Sequence, residues 1–519
     1  MEKLLSVAEM QAVEREANGK GLSYATMMEN AGSALAEFIH SMYGSTRQRS
    51  ALALVGSGNN GGDALVALCR LMDFGWQTCA YVVRPRQKGD LQLNRYTQQG
   101  GVCIEGGEDS EQTHLGCFLN HSSVLIDGVL GTGAHLPLPD EVVKVLEYVK
   151  HYQGERSERL SVVAVDCPSG VDCDTGEAAP EVIPADITFT MAAIKQGLLT
   201  FPAANFVGEI RVGAIGDISK LSSWTGINRG VLTDRDIHQF LPPRLKNAHK
   251  GTFGTALLVA GSGNYPGAVL LAGMGAYRIG AGLVKIAVPE LIYPSLIGVL
   301  KEATWIRLPH DGGGISEGAI QVISEALYGV SALLLGPGLG LQKTTKQFVQ
   351  KLISQKLPAT VIDADGLKLL AEIPDWHSIS TGQVVLTPHP GEMAILTGMT
   401  KEQIQSNRID VAEKFVQQWG KVVVLKGAYT VIAEPGGCTA IVPVATPALA
   451  RAGTGDVLAG FIVGFLAQGL APFQAACAGA YIHAMTGLEI EKEQGNSSSV
   501  LAGDLVDALP KILAGFTKM

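Results

Sequence analysis

No Cys-x-x-Cys pair occurs among the eight cysteines, at 69, 79, 103, 117, 167, 173, 438 and 477. Cys167 and Cys173 come nearest to a metal-like spacing, but no His/Cys partner pair accompanies them. Free thiols in a reducing compartment are therefore expected rather than a zinc site or a disulfide framework. No apolar run approaches the roughly 20 residues needed to span a bilayer. The longest apolar helix candidate, Val457 to Leu466, is too short, and Ala268 to Val288 is broken by Arg278 and Lys285. The first residues, Met1-Glu-Lys-Leu-Leu-Ser6, lack the apolar stretch of a secretory signal. A soluble, cytoplasmic protein without a membrane partner is expected. Positive charge is also in deficit. The net charge of −9 gives no basic footprint for nucleic acid across the whole chain, and no nucleic-acid partner is expected. Aromatics make up 6% of the chain, and charged residues 17%.

Hydrophobic residues, by contrast, make up 46% of 519 residues, enough for large cores and too many for a disordered chain. At about 100–200 residues per domain, two or more domains are expected. There are 63 glycines without a three-residue period, which excludes collagen and points to tight turns or close backbone approach to ligands.

Ser6-Val-Ala-Glu9 reads as a capping box that opens a helix towards Asn18. A second helix begins near Ser23, with Met27, Ala31, Leu35, Phe38 and Met42 on one stripe. The pattern then changes to strand-like runs at Ser50–Val55, Ser123–Ile126, Ser161–Val165 and Ile187–Thr190, separated by helical stretches. The segment from Asp217 to Pro243 marks a boundary between domains. The alternation resumes with runs at Thr255–Ala260, Leu283–Val288, Ala332–Leu335, Thr360–Ile362, Val384–Leu386 and Val422–Leu425. Strands alternating with helices predict two α/β domains with parallel sheets covered on both faces.

In the first half three runs end in polar, glycine-containing loops. They are Gly56-Ser-Gly-Asn-Asn-Gly-Gly-Asp63, Asp127-Gly-Val-Leu-Gly-Thr-Gly133 and Asp166-Cys-Pro-Ser169-Gly-Val-Asp172. Glycines let backbone approach a phosphate, and a helix N-terminus favours anions. Taken singly, Asn59 and Asn60 could simply occupy turn positions, and each acid could cap the next helix. Together, three such strand ends would converge on one sheet edge, where open α/β sheets bind ligands.

These three segments resemble the NAD(P)H-hydrate epimerase family over about residues 1–225. The resemblance implies a Rossmann-like, three-layer domain that binds hydrated nicotinamide cofactor and a potassium ion. Asn60, Asp127 and Ser169 would be the potassium ligands. Asn59, Asn60, Gly61, Gly62, Asp63, Gly131, Thr132, Gly133, Ala134, His135, Leu136, Pro137 and Asp166 would contact the substrate. Epimerisation at carbon six needs the carbon–oxygen bond there to open and reform. Asp166 is the expected acid/base, since a nearby carboxyl can move a proton to and from the departing hydroxyl.

In the second half, Leu386-Thr-Pro-His389-Pro-Gly-Glu392 follows a strand and introduces a helix, and Lys426-Gly427-Ala428-Tyr429-Thr430 reads as a strand turning into a hairpin. His389 could be no more than a turn histidine between prolines, and Lys426 a structural ion-pair partner. Ala450-Arg-Ala-Gly453-Thr-Gly455-Asp456 enters an apolar helix. Glycines at a helix start leave N–H groups free to hold an anion, and an acid beside such a hole can take a proton from a hydroxyl. The plainer alternative is a glycine-rich packing face with Asp456 as an early-turn acid.

This Gly-Thr-Gly-Asp arrangement resembles the ribokinase-like fold. With Thr-Pro-His-Pro-Gly-Glu, Lys-Gly-Ala-Tyr-Thr, Gly261-Ser-Gly-Asn-Tyr265-Pro-Gly267-Ala268 and Gly336-Pro-Gly338-Leu-Gly340, it narrows to ADP-dependent NAD(P)H-hydrate dehydratase over about residues 226–519. The resemblance implies that Ala268, Gly338, His389 and Asp456 contact the hydrated cofactor. Lys426, Gly427, Ala428, Tyr429 and Thr430 would surround ADP, with Thr446, Pro447, Ala448, Leu449, Ala450, Arg451, Ala452, Gly453, Thr454 and Gly455. ADP would phosphorylate the carbon-six hydroxyl with help from Asp456, and loss of phosphate would restore NADH or NADPH. Magnesium is expected with the nucleotide. Asp363-Ala-Asp365-Gly also fits the pattern, with no role assigned to its acids. The substrates implied are NADHX, NADPHX and ADP, and the composition allows a homo-oligomer. The alternative reading is a ribokinase-like vitamin kinase fused to a ligand-binding or interaction module.

Overall fold

The computed structural model describes residues 1–45, 49–155, 160–379 and 382–517. Two compact units are present: Glu2–Asn228, and Met1 together with Arg229–Met519.

In the unit Glu2–Asn228 the capping box forms as its residue types require. Ser6 Oγ accepts from Glu9 N at 3.2 Å and Glu9 accepts from Ser6 N at 2.7 Å, opening the helix Val7–Gly19. Ser23 caps the next helix, Tyr24–Tyr43. Met27, Ala31 and Leu35 are buried as the stripe predicts, with Phe38 packed at its edge. Met42 departs from the expectation. It is half exposed, because Ala36 and Ile39 carry the buried face through the later turns.

Seven strands form a wholly parallel sheet, in the order Val102–Glu105, Gln77–Val82, Ser50–Val55, Val124–Gly128, Ser161–Val165, Ile187–Met191, Glu209–Gly213. Each predicted run is a strand. Alternate residues of Ser50–Val55 face opposite layers: Ala51, Ala53 and Val55 join one apolar cluster, Leu52 and Leu54 the other. That alternation makes the unit three layers thick. The strand order reverses between Ser50–Val55 and Val124–Gly128. A crevice opens at such a point, at the carboxyl ends of the strands.

In the other unit seven strands are also parallel, in the order Thr304–Leu308, Leu283–Pro289, Thr255–Val259, Ala332–Leu335, Ala359–Ile362, Val384–Leu386, Val422–Leu425. Val431–Ala433 then pairs antiparallel with Val422–Leu425, so residues 426–430 form the predicted hairpin loop. Thr439–Ile441 and Arg229–Val231 complete the sheet. The helices Pro266–Arg278 and Thr454–Ala467 pack closely on it. At Gly460 a side chain would lie 2.3 Å from Ala272 O, so only glycine allows that approach. Among the described residues no helix is long and apolar enough to cross a membrane.

Candidate functional sites

Because seven neighbouring strands of each sheet run parallel, the loops after them gather on one edge. In the unit Glu2–Asn228 this edge brings together residues far apart in sequence. Asn60, in the first turn of the helix Asn59–Asp73, donates from Nδ2 to Leu130 O at 2.9 Å and Val165 O at 2.5 Å. Gly131 sits so close to Asn60 that a side chain there would lie 2.4 Å from its Oδ1. Asp127 is fully buried at the end of its strand. Its Oδ1 accepts from Ser169 Oγ at 2.5 Å and its Oδ2 from Ser169 N at 2.8 Å, and Ser169 Oγ accepts from Leu130 N at 2.9 Å. Burial pushes the Asp127 carboxyl up from its ordinary value, against the pull of these bonds. No lysine or arginine pairs with it among the described residues. Asn60, Asp127 and Ser169, with the Leu130 and Val165 carbonyls, therefore form one oxygen-rich nest.

Asp166 stands beside this nest, three residues before Ser169. Its φ is 66°, a left-handed conformation that costs a non-glycine residue energy and needs support from its surroundings. The support comes through Oδ1, which accepts from Thr190 Oγ1 at 3.0 Å, from Met191 N at 2.9 Å and from the ammonium of Lys195. Asp63 lies in the same helix turn as Asn60. Burial first, and the charge of Asp166 second, push its carboxyl well above the usual carboxylate range. Glu14 is raised too, chiefly by burial. The loop carrying Gly131, Thr132, Gly133, Ala134, His135, Leu136 and Pro137 has Gly133, His135 and Pro137 exposed to solvent.

In the other unit, Asp456 occupies the first turn of the helix Thr454–Ala467. Gly453 before it is left-handed (φ 90°) and offers no side-chain cap, so the first N–H groups keep their capacity for an anion. Thr454 braces the turn by donating to Leu449 O and Arg451 O, both at 2.9 Å. Burial and then the Asp363 charge push the Asp456 carboxyl up to about 7. Beneath the turn, burial pushes the His483 imidazole down to about 4, so its neutral ring contacts Thr454 O at 2.9 Å.

Lys426 points at the same turn: a side chain at Gly455 would lie 3.5 Å from its Nζ. The ammonium donates to Asp363 Oδ1 at 2.7 Å and lies 3.7 Å from Glu392 Oε2. Burial alone would lower its pKa, but these two acids outweigh that and raise it. In the hairpin loop, Tyr429 is left-handed (φ 51°) and its N–H donates to Val444 O at 3.0 Å. His389 proves to be the N-cap of the helix Pro390–Thr397. Its Nδ1 accepts from Gly391 N at 2.9 Å, while about half of the ring stays open to solvent. Burial lowers its pKa first of all, so the ring favours the neutral, accepting form. Gly338 (φ 64°) touches Ala268: a side chain there would lie 3.1 Å from Ala268 Cβ and 2.9 Å from Tyr265 O. Thr446 caps the short turn Pro447–Leu449 and donates to Glu491, with Ala448 buried beneath while Ala450, Arg451 and Ala452 are exposed.

Two participants, Glu14 and Lys195, escape the sequence motifs, and two more, Asp363 and Glu392, lie in quoted motifs without an assigned role. Glu392 was visible only as part of a helix-opening segment. Lys195 sits on the two-residue strand Ile194–Lys195, whose brevity leaves no pattern to read. The one available signal was chemical, since a buried acid such as Asp166 calls for a cation.

Residues 24–197 match the family model described as YjeF-related protein N-terminus, and residues 256–511 the model described as NAD(P)H-hydrate dehydratase. The bifunctional NAD(P)H-hydrate repair enzyme Nnr of Moorella thermoacetica is 36% identical over 520 aligned residues, spanning 98% of this chain and 96% of that protein. The enzyme of the same name from Salinibacter ruber is 34% identical over 98% of this chain and 96% of its own. Among solved structures, the ADP/ATP-dependent NAD(P)H-hydrate dehydratase of Bacillus subtilis, co-crystallised with ATP/Mg2+, is 35% identical. It superposes with a TM-score of 0.49, spanning 56% of this chain and 100% of that one.

Proposed function

The chain belongs to the bifunctional NAD(P)H-hydrate repair enzyme family, and from that premise we propose that each of its two units carries one of the two reactions. Residues 1–225 interconvert the R and S epimers of NADHX and NADPHX. Residues 226–519 dehydrate the S epimer to NADH or NADPH while ADP becomes AMP and phosphate. The observation that carries this reading is a pair of acid-bearing sites in one chain, each at the carboxyl edge of its own parallel sheet.

In the first reaction the carbon-six–oxygen bond breaks with its electron pair on oxygen, while the ring nitrogen's lone pair closes a carbon–nitrogen double bond. In its protonated form Asp166 gives a proton to the departing oxygen, water leaves, and Asp166 is left as the carboxylate. Water then adds back to either face and returns a proton to Asp166. The donor set of Asn60, Asp127, Ser169 and the neighbouring carbonyls consists of oxygens around a buried acid that has no counter-cation among the described residues, which suits a potassium ion. When bound, that ion supplies a fixed positive charge at the strand edge. Asn59 to Asp63 and Gly131 to Pro137 line the approach to Asp166 as the substrate-holding loops.

In the second reaction Asp456 takes the proton of the carbon-six hydroxyl as its oxygen attacks the β-phosphorus of ADP, and AMP departs. Phosphate then leaves carbon six with the carbon–oxygen electrons, a proton leaves carbon five, and the ring double bond is restored. A carboxyl titrating near 7 is matched to that proton transfer at neutral pH. Lys426 and the N–H groups after Gly453 hold the transferring phosphoryl. Lys426 to Thr430 and Thr446 to Gly455 enclose the nucleotide, and Ala268, Gly338 and His389 hold the hydrated ring. Magnesium accompanies the nucleotide. Among the described residues no cluster of three His, Cys, Asp or Glu side chains could hold a metal ion, and no step is assigned to it.

The test uses purified protein and a mixture of both hydrated NADH epimers. Recovery of reduced-nicotinamide absorbance is followed with ADP, then ATP, with and without potassium. Full recovery, faster than spontaneous epimerisation, is expected with ADP. Recovery that stops at the S fraction would sink the epimerase assignment. A stable phosphorylated product without NADH would replace the dehydratase by a kinase that stops after phosphoryl transfer.

A further inference from the structure

Lys195 takes no part in the chemistry above, yet it is one of the largest fully buried side chains of the chain. A buried ammonium costs several kcal/mol unless it is paired and its donors are satisfied. Here all three N–H donors find acceptors: Asp166 Oδ1, Thr190 Oγ1 at 3.0 Å and Met191 O at 2.9 Å. The backbone is anchored as well, since Lys195 pairs in register with Leu5 of the strand Glu2–Leu5. Such an ion pair is a poor device for stability, because well-packed apolar residues often replace one at no cost. Its geometry suggests a different use. Every bond to the Asp166 carboxylate falls on Oδ1, and none falls on Oδ2 among the described residues. About a tenth of the Asp166 side chain stays open, while Lys195 is closed off behind it.

We propose that Lys195 is a positioning residue of the epimerase site: its ammonium, fixed by Thr190 and Met191, locks Asp166 through Oδ1 and leaves Oδ2 to meet the carbon-six hydroxyl. Thr190 Oγ1 donates to Asp166 and accepts from Lys195, so it ties the pair together. The inference rests on the epimerase role of Asp166. The groups facing Asp166 are Lys195, Asp63, Glu14 and the thiol of Cys167. Lys195 is the one cation in that set.

The experiment compares Lys195→Met, Lys195→Arg, Thr190→Val and Asp166→Asn in the full chain. The readout is kcat and KM for R-to-S conversion, with dehydration of pure S epimer as the internal reference. For Lys195→Met, the expected result is a kcat about 10- to 100-fold lower, with KM within about twofold. Lys195→Arg restores part of the rate, and Thr190→Val shows a smaller fall in kcat with KM again close to wild type. Dehydration is unchanged throughout. If Lys195→Met does not fold, the kcat values of Lys195→Arg and Thr190→Val decide, and wild-type kcat in both overturns the proposal. Wild-type kcat in Lys195→Met, with Asp166→Asn inactive, also overturns it and leaves the epimerase assignment standing. An active Asp166→Asn overturns the role of Asp166 and this inference with it.

Discussion

Lys426 and Asp363 form a partly buried ion pair, with Nζ 2.7 Å from Oδ1 and Thr387 Oγ1 donating to the same oxygen, also at 2.7 Å. The two residues are brought together by the strands Ala359–Ile362 and Val422–Leu425, which flank Val384–Leu386 in the sheet. Asp363→Ala leaves the ammonium, among the described residues, with Glu392 at 3.7 Å and the more distant charge of Asp456. The expected loss is about 3 kcal/mol of stability in the dehydratase unit. Denaturant melts followed by dehydratase activity check it, and an unchanged midpoint would refute a structural contribution from the pair.

Asp456 should set the pH dependence of dehydration. The base form rises as pH passes about 7, so kcat increases through that range and then levels off. Asp456→Asn should lower kcat by about 10²–10⁴ and remove the inflection. The linked stability effect has the opposite sense. The folded carboxyl binds its proton more tightly than the unfolded one, so stability is greatest below the unfolded pKa and falls as pH rises towards 7. A flat kcat profile between pH 6 and 8 would be evidence against Asp456 as the base.

Potassium should matter to one activity more than to the other. Replacing it with a bulky organic cation is expected to slow epimerisation. Asp127→Asn removes the buried carboxylate of the oxygen nest while keeping its shape, so its epimerase should no longer respond to potassium. Titration of epimerase rate with potassium chloride at constant ionic strength tests this. An Asp127→Asn protein that keeps the wild-type response would place the ion elsewhere.

Gly338→Ala is a test of close approach. At φ 64° an added methyl is strained, and it would lie 2.8 Å from Tyr265 Cβ and 2.9 Å from Tyr265 O. The loop must shift against Ala268, so KM for S-NADHX should rise about tenfold while epimerisation stays as it was. An unchanged KM would remove Gly338 from the substrate site.

Much of the fold was legible because its signals are local. The runs that became parallel strands are apolar on both faces, and Ser6 and Ser23 cap helices that their own neighbours complete. The strand ends at Asp127, Asp166 and Lys426 were readable for the same reason, as polar residues that break an apolar run. Met42 misled because a stripe counted every three or four residues does not say where the core stops.

The sequence by itself determined the two α/β alternations, the glycine loops after their strands, and the residue types able to carry acid/base and anion-holding chemistry. Tertiary structure decided the partners of those residues. It brought Lys195 behind Asp166, Asp363 beneath Lys426, and Asn60 and Ser169 to Leu130 from opposite directions in the chain. It also set the electrostatics. A carboxyl moves from its ordinary range to about 7 at Asp456 only when burial strips its water and Asp363 stands nearby. Periodicity is a property of neighbours in sequence, whereas desolvation and ion pairing are properties of neighbours in space, and the crossovers of a parallel sheet separate the two.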